Sequence, residues 1–172
     1  MEVIGGIFFL FVFIIVIIAF VCAIMKYVFD GIGLMKMAKA KKEKYPWLSW
    51  IPWAKEYLRG KIAYNTDHGA AIFLCVTIGV TAITSIISFV VGFLSSFSRE
   101  LIIVDTIAYT FIYLIGIGYS VYYYIIQYKI FKQFSKNTTI MIVFTILTGG
   151  FLAPIFNFAI RKNKIENIDN IR

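Results

Sequence analysis

Gly5-Gly6-Ile7-Phe8-Phe9-Leu10-Phe11-Val12-Phe13-Ile14-Ile15-Val16-Ile17-Ile18-Ala19-Phe20-Val21-Cys22-Ala23-Ile24-Met25 carries no polar side chain between Ile7 and Ile24 except the Cys22 thiol. Fifteen of those eighteen residues are Ile, Leu, Phe or Val, so insertion into a bilayer is favoured by about 5 to 9 kcal/mol. Gly69 to Leu94 and Leu101 to Ile126 are two further runs of the same kind. An unsatisfied backbone group in hydrocarbon costs several kcal/mol, and barrel strands would be shorter and alternate in polarity. The expectation is an all-α integral membrane protein, a single helical membrane domain over residues 1–172. With 60% hydrophobic residues and a mean hydropathy of +0.84, lipid rather than an aqueous core is the medium of the chain.

The positive charges set the expected orientation. Of seventeen Lys and Arg residues, nine lie from Lys26 to Lys61, three are Lys129, Lys132 and Lys136, and four are Arg161, Lys162, Lys164 and Arg172. Only Arg99 sits elsewhere, beside Glu100 in the short connector Ser95 to Asp105. Because basic residues collect on the cytoplasmic side, the amino terminus is expected outside and the basic loops inside the cell membrane, with the first run kept as an uncleaved anchor. The net charge of +8 then reads as attachment to anionic lipid, not to nucleic acid. Cys22 and Cys75 lie in apolar runs and read as reduced thiols.

Spans are expected near 5–29, 69–94 and 101–126, with a basic, aromatic loop over 30–68. The run 139–160 is long enough to cross, but crossing would put its basic tail outside. Gly149, Gly150 and Pro154 divide it into halves of about ten residues, the length of a re-entrant segment. A C-terminal re-entrant hairpin hinged at these three residues is favoured over a fourth transmembrane helix.

Within the first loop, Tyr45-Pro46-Trp47-Leu48-Ser49-Trp50-Ile51-Pro52-Trp53 holds all three tryptophans at spacings of three. Indole rings favour the membrane interface, so this is an interfacial Trp-rich segment. Its alternative role is a lid or docking face built on Trp47, Trp50, Trp53, Pro46 and Pro52. The two prolines exclude a continuous helix; a short turn between them and a restart after Pro52 satisfy their missing donors.

Gly33, Met37-Ala38, Pro46 to Pro52 and Tyr57-Leu58-x-Gly60-x-Ile62, with Phe131-Lys132-x-Phe134-Ser135 and Phe158-Ala159-Ile160-Arg161 further on, resemble the corresponding parts of small multi-pass membrane proteins of Gram-positive bacteria. The likeness covers about a third of the chain and implies a bacterial membrane protein without implying a particular chemistry. Such loops often carry Asn after the Pro-Trp segment, where this chain has Lys55-Glu56.

Helical spacing places Thr77, Thr81, Thr84, Ser85, Ser88, Gly92 and Ser95 on one stripe of the second run, a packing seam or, as the sharper alternative, a pore lining. Tyr109, Tyr113, Gly116, Ser120 and Gln127 share a face of the third run, suited to packing or to a groove for a lipid or hydrophobic peptide. Tyr119, Tyr122, Tyr123, Tyr124 and Tyr128 form an aromatic belt at its basic end. No charged residue or His falls deep in these three spans, where one would flag an ion pathway. The lone His68 follows Thr66 and Asp67, one or the other of which is the expected N-cap of the second run. With one His and two distant Cys, and no phosphate-binding Gly loop or nucleophile elbow, no catalytic, metal or cofactor-binding residues are expected.

The function expected is non-enzymatic: binding a membrane-protein partner, peptide or lipid at the bilayer, as an accessory subunit or immunity-type protein. A small homo-oligomeric transporter or channel is the alternative.

Overall fold

An apolar run without proline or a polar break gives the backbone no reason to stop, and α1 (Glu2–Ala40) continues unbroken for 39 residues. At 1.5 Å per residue that is about 58 Å, nearly twice a hydrocarbon core, so the segment 30–40 that opens the basic loop is helix too. The computed structural model describes residues 2–95 and 102–163. The connector bearing Arg99 and Glu100, and the tail from Lys164 onward, lie outside them.

Pro46 starts a 3-10 helix, Pro46–Trp50, and helix resumes after Pro52 as α2 (Ala54–Tyr64). Asn65 ends α2 in the left-handed conformation with φ 57°, which Asn tolerates. Thr66 then caps α3 (Asp67–Ser95), its Oγ1 accepting the Gly69 N–H at 3.2 Å. The Ser95 hydroxyl donates to Asp105 at 2.8 Å, tying the end of α3 to the start of α4 (Ile102–Phe134). The last apolar run breaks where its glycines and proline require: α5 (Thr138–Leu147) and α6 (Ala153–Ile160) flank a turn in which Gly149 and Gly150 have φ +60° and +85°. Any Cβ is strained there. Just past α6, Asn163 Nδ2 donates to the Phe134 carbonyl at 2.9 Å, at the end of α4.

α1, α3 and α4 are each long and apolar enough to cross a membrane. Their packing is uneven along their length. Every side chain from Phe9 to Val21 is exposed, whereas Leu34, Met37, Ile62, Phe73, Ile126, Ile130 and Phe131 form one buried cluster at the basic end. There α1 packs on the 3-10 helix, α2 and α6, but no Cα of α1 lies within 8 Å of α3 or α4 among the described residues. α3 and α4 pack on each other, while α1 joins the rest through the 3-10 helix, α2 and α6.

Two residues show how that end is held. Gly33 allows α1 and α6 to touch, for a Cβ there would lie 2.8 Å from the backbone carbonyl carbon of Asn157. Backbone cannot rotate away, so Gly33→Val should destabilise the fold by about 1 to 3 kcal/mol, whereas Gly79→Ala, with no neighbour within 4 Å, should cost nothing; thermal unfolding in detergent reads both. Lys41, just past α1, donates to the Ile62 carbonyl and to Asn65 Oδ1 at the end of α2. Burial lowers its pKa to about 8, against partial opposition from Glu43. Between pH 8 and about 10 the folded chain has released this proton while an unfolded lysine keeps it, so stability should rise with pH across that window. In Lys41→Gln the rise in melting temperature should disappear.

Candidate functional site

Asp30 lies about three turns before the end of α1, and the contact made possible by Gly33 one turn later sets it against α6. The carboxylate is 3% exposed. Taking it from water costs several kcal/mol unless donors replace the water, and here three do. Arg59 Nη2 of α2 lies 2.5 Å from Oδ2, Lys55 Nζ lies 3.4 Å from the same atom, and Asn157 Nδ2 of α6 donates to Oδ1 at 3.2 Å. The relay continues, since Gln127 Nε2 of α4 donates to Asn157 Oδ1 at 2.6 Å. One carboxylate thus links α1 and α2 directly to α6, and through it to α4.

Arg59 is buried between two acids. Its Nη1 pairs with Glu56, its guanidinium carbon lies 5.2 Å from the centre of the Tyr123 ring, and its Nε is buried without a hydrogen-bond partner. Burial opposes its charge, but Asp30 and Glu56 outweigh this and hold its pKa above the ordinary arginine range. Lys55 also sits 5.0 Å from the centre of the Tyr27 ring. Away from this network, the ion pairs of Lys61 with Asp67 at 2.7 Å and with Glu43 at 3.0 Å raise the lysine's pKa.

Above the buried pair lies a cavity of about 420 Å³ between α1, α2, α4 and the α5–α6 turn. Its floor is buried: Asp30, Glu56, Arg59, Gly150 and Pro154. Its rim is exposed: Ala23, Lys26, Ser120 and Gly149. Ala23 precedes Asp30 on α1 and Ser120 precedes Tyr123 on α4, so the opening faces the end where the long helices part and their side chains are apolar. Lys26 stands at this rim 6.0 Å from the centre of the Phe151 ring and has no carboxylate partner among the described residues.

The residues marked from sequence are distributed as follows. Gly149, Gly150, Pro154 and Ser120 line the cavity. Thr77 is buried with its hydroxyl 3.3 Å from that of Tyr119, joining α3 to α4, but Thr81, Ser85, Ser88 and Gly92 are exposed, so the stripe divides between a seam and an outer face. Hydroxyls on it, such as Thr81 and Thr84, donate to carbonyls of their own helix at 2.8 Å. Tyr109 and Tyr113 are exposed, and a Cβ on Gly116 would meet nothing within 4 Å; these three do not join the cavity. Trp50 packs across α1, its ring 3.3 Å from where a Cβ on Gly31 would be, and Tyr27 donates to its carbonyl. Trp47 and Trp53 are exposed, and Pro46 and Pro52 bound the 3-10 turn that carries Trp50.

Sequence reasoning missed Asp30, Glu56, Arg59 and Asn157. Asp30 falls one residue past the expected span, among loop charges. Asn157 was the legible signal: an amide within Ile155-Phe156-Asn157-Phe158 must find a partner or remain unsatisfied in an apolar environment. No family model matches the chain, and neither a curated protein nor a solved structure does, so its chemistry rests on this geometry.

Removing one partner of a buried ion pair strands the other. Asp30→Asn should therefore cost roughly 3 to 5 kcal/mol in reversible unfolding, whereas Asp67→Asn, on an exposed pair, should change little.

Proposed function

We propose that this chain is a non-enzymatic multi-pass protein of the cell membrane that holds a lipid or similar amphiphile between α1 and the α3–α4 pair. The observation that carries this reading is a charged cavity floor with its mouth among apolar, separated helices. An amphiphile has the same two-part chemistry: a polar group to satisfy the floor and chains to fill the gap. Neither a soluble metabolite nor a bare ion uses both parts.

The positive charges support placing the α2 end at the cytoplasmic face. The return of Asn163 to Phe134 supports a re-entrant α5–α6 hairpin, since α5 and α6 reach only about 15 and 12 Å at 1.5 Å per residue. On this reading the tryptophan segment lies in the inner headgroup layer, closing the cavity from beneath through Trp50 and Tyr27. Trp47 and Trp53 face outward, where a partner subunit or membrane-active peptide would dock in an accessory or immunity role. The outer hydroxyl stripe offers α3 to a neighbouring helix, whereas its self-bonded hydroxyls give no support to an ion path.

The chain purified in mild detergent should retain lipid, measured by native mass spectrometry, and Ser120→Trp, which fills the rim, should lose it while keeping its melting temperature. Equal lipid content in the two proteins would overturn the cleft as the binding site.

A further inference from the structure

The polar half of the ligand can be specified from the charges that face it, a step that rests on the lipid reading above. Lys26, Lys55 and Arg59 line the cavity against Asp30 and Glu56; three cations against two carboxylates leave one positive charge. Both acids are committed to Arg59 and Lys55. Among the described residues two donors have no acceptor: Lys26, exposed at the rim beside the Phe151 ring, and the buried Arg59 Nε. They lie at the rim and the floor of one cavity, on α1 and α2.

We propose that the cavity binds the headgroup of a monoanionic phosphodiester lipid, with its phosphate shared by Lys26 and Lys55 above the buried Arg59, and its acyl chains rising between α1 and the α3–α4 pair. A single negative charge neutralises the surplus, and phosphate oxygens accept charge-assisted hydrogen bonds from several donors at once. The hydroxyls of Ser120 and Tyr124 beside the site suit a glycerol or similar polyol headgroup. A quaternary ammonium group would add a cation to a site already positive, and Arg59 already covers the Tyr123 ring that would otherwise receive it.

The full chain in detergent is exposed to an equimolar mixture of phosphatidylglycerol and phosphatidylcholine with identical acyl chains, and bound lipid is resolved by native mass spectrometry. The expected result is a preference of about tenfold for phosphatidylglycerol, reduced toward parity in Lys26→Gln and in Lys55→Gln but kept in Lys39→Gln, an exposed α1 lysine away from the cavity. Glycerol 3-phosphate in excess should not displace the lipid. Equal binding of the two lipids by the native chain would overturn the headgroup assignment while leaving the lipid cleft in place, and so would a preference unchanged in both cavity variants. Binding of neither lipid would overturn the cleft as well. Displacement by glycerol 3-phosphate would overturn the lipid as the source of the phosphate.

Discussion

The Asp30 carboxylate is the constraint on which the rest of this molecule depends. A desolvated carboxylate is unstable alone by several kcal/mol, and it obtains its partners from sequence positions as distant as Arg59 and Asn157. Satisfying it brings α2 against α1 and pins α6 alongside. Gly33 makes that approach sterically possible, and Gln127 extends the polar relay to α4. Since neighbouring side chains must then exclude water from the relay, the buried apolar cluster around Leu34, Met37, Ile62 and Phe131 forms at the same level. The polar link and the apolar cluster stabilise each other: the cluster lowers the local dielectric, which strengthens the ion pairs, and the pairs position the helices that form the cluster.

Away from this level the balance changes. Leucine and isoleucine side chains gain little by leaving lipid for one another, so long apolar helices need not close on themselves. α3 and α4 remain adjacent, joined near the basic end through Thr77 and Tyr119 and at the other by Ser95 and Asp105. α1 has no such link, and none of its Cα atoms lies within 8 Å of α3 or α4 among the described residues. The cavity lies where α1 is braced only through the 3-10 helix, α2 and α6, and the unneutralised Lys26 at its rim is what remains after Asp30 and Glu56 are paired. Structural ion pair and proposed ligand site are therefore one feature, with Arg59 belonging to both.

Some of this was legible residue by residue. Pro46 and Pro52 marked the break and the restart, because a ring nitrogen cannot donate. Thr66 was a visible helix cap, since its hydroxyl precedes a run that needs one. Gly149, Gly150 and Pro154 marked the break in the last run. The hydroxyl stripe on α3 was only half legible: helical spacing groups Thr77 with Thr81 and Ser85, but which of them meets α4 depends on the crossing of two helices, and only Thr77 is buried. Arg59 was not legible as a site residue at all, because in a loop with eight basic residues nothing local distinguishes a buried arginine from a solvated one.

Composition and local pattern alone determined that this chain is helical and built of runs suited to lipid, where those runs break, and where its charge collects. These properties depend on backbone hydrogen bonding, side-chain hydropathy and proline or glycine geometry, each of which acts over a few residues. Tertiary structure alone decided which charges are buried, which helices part, and that a cavity lies between Asp30, Arg59 and Tyr123. Those outcomes require partners from opposite ends of the chain, and the energy of a charge is set by what surrounds it in space rather than by what precedes it in sequence.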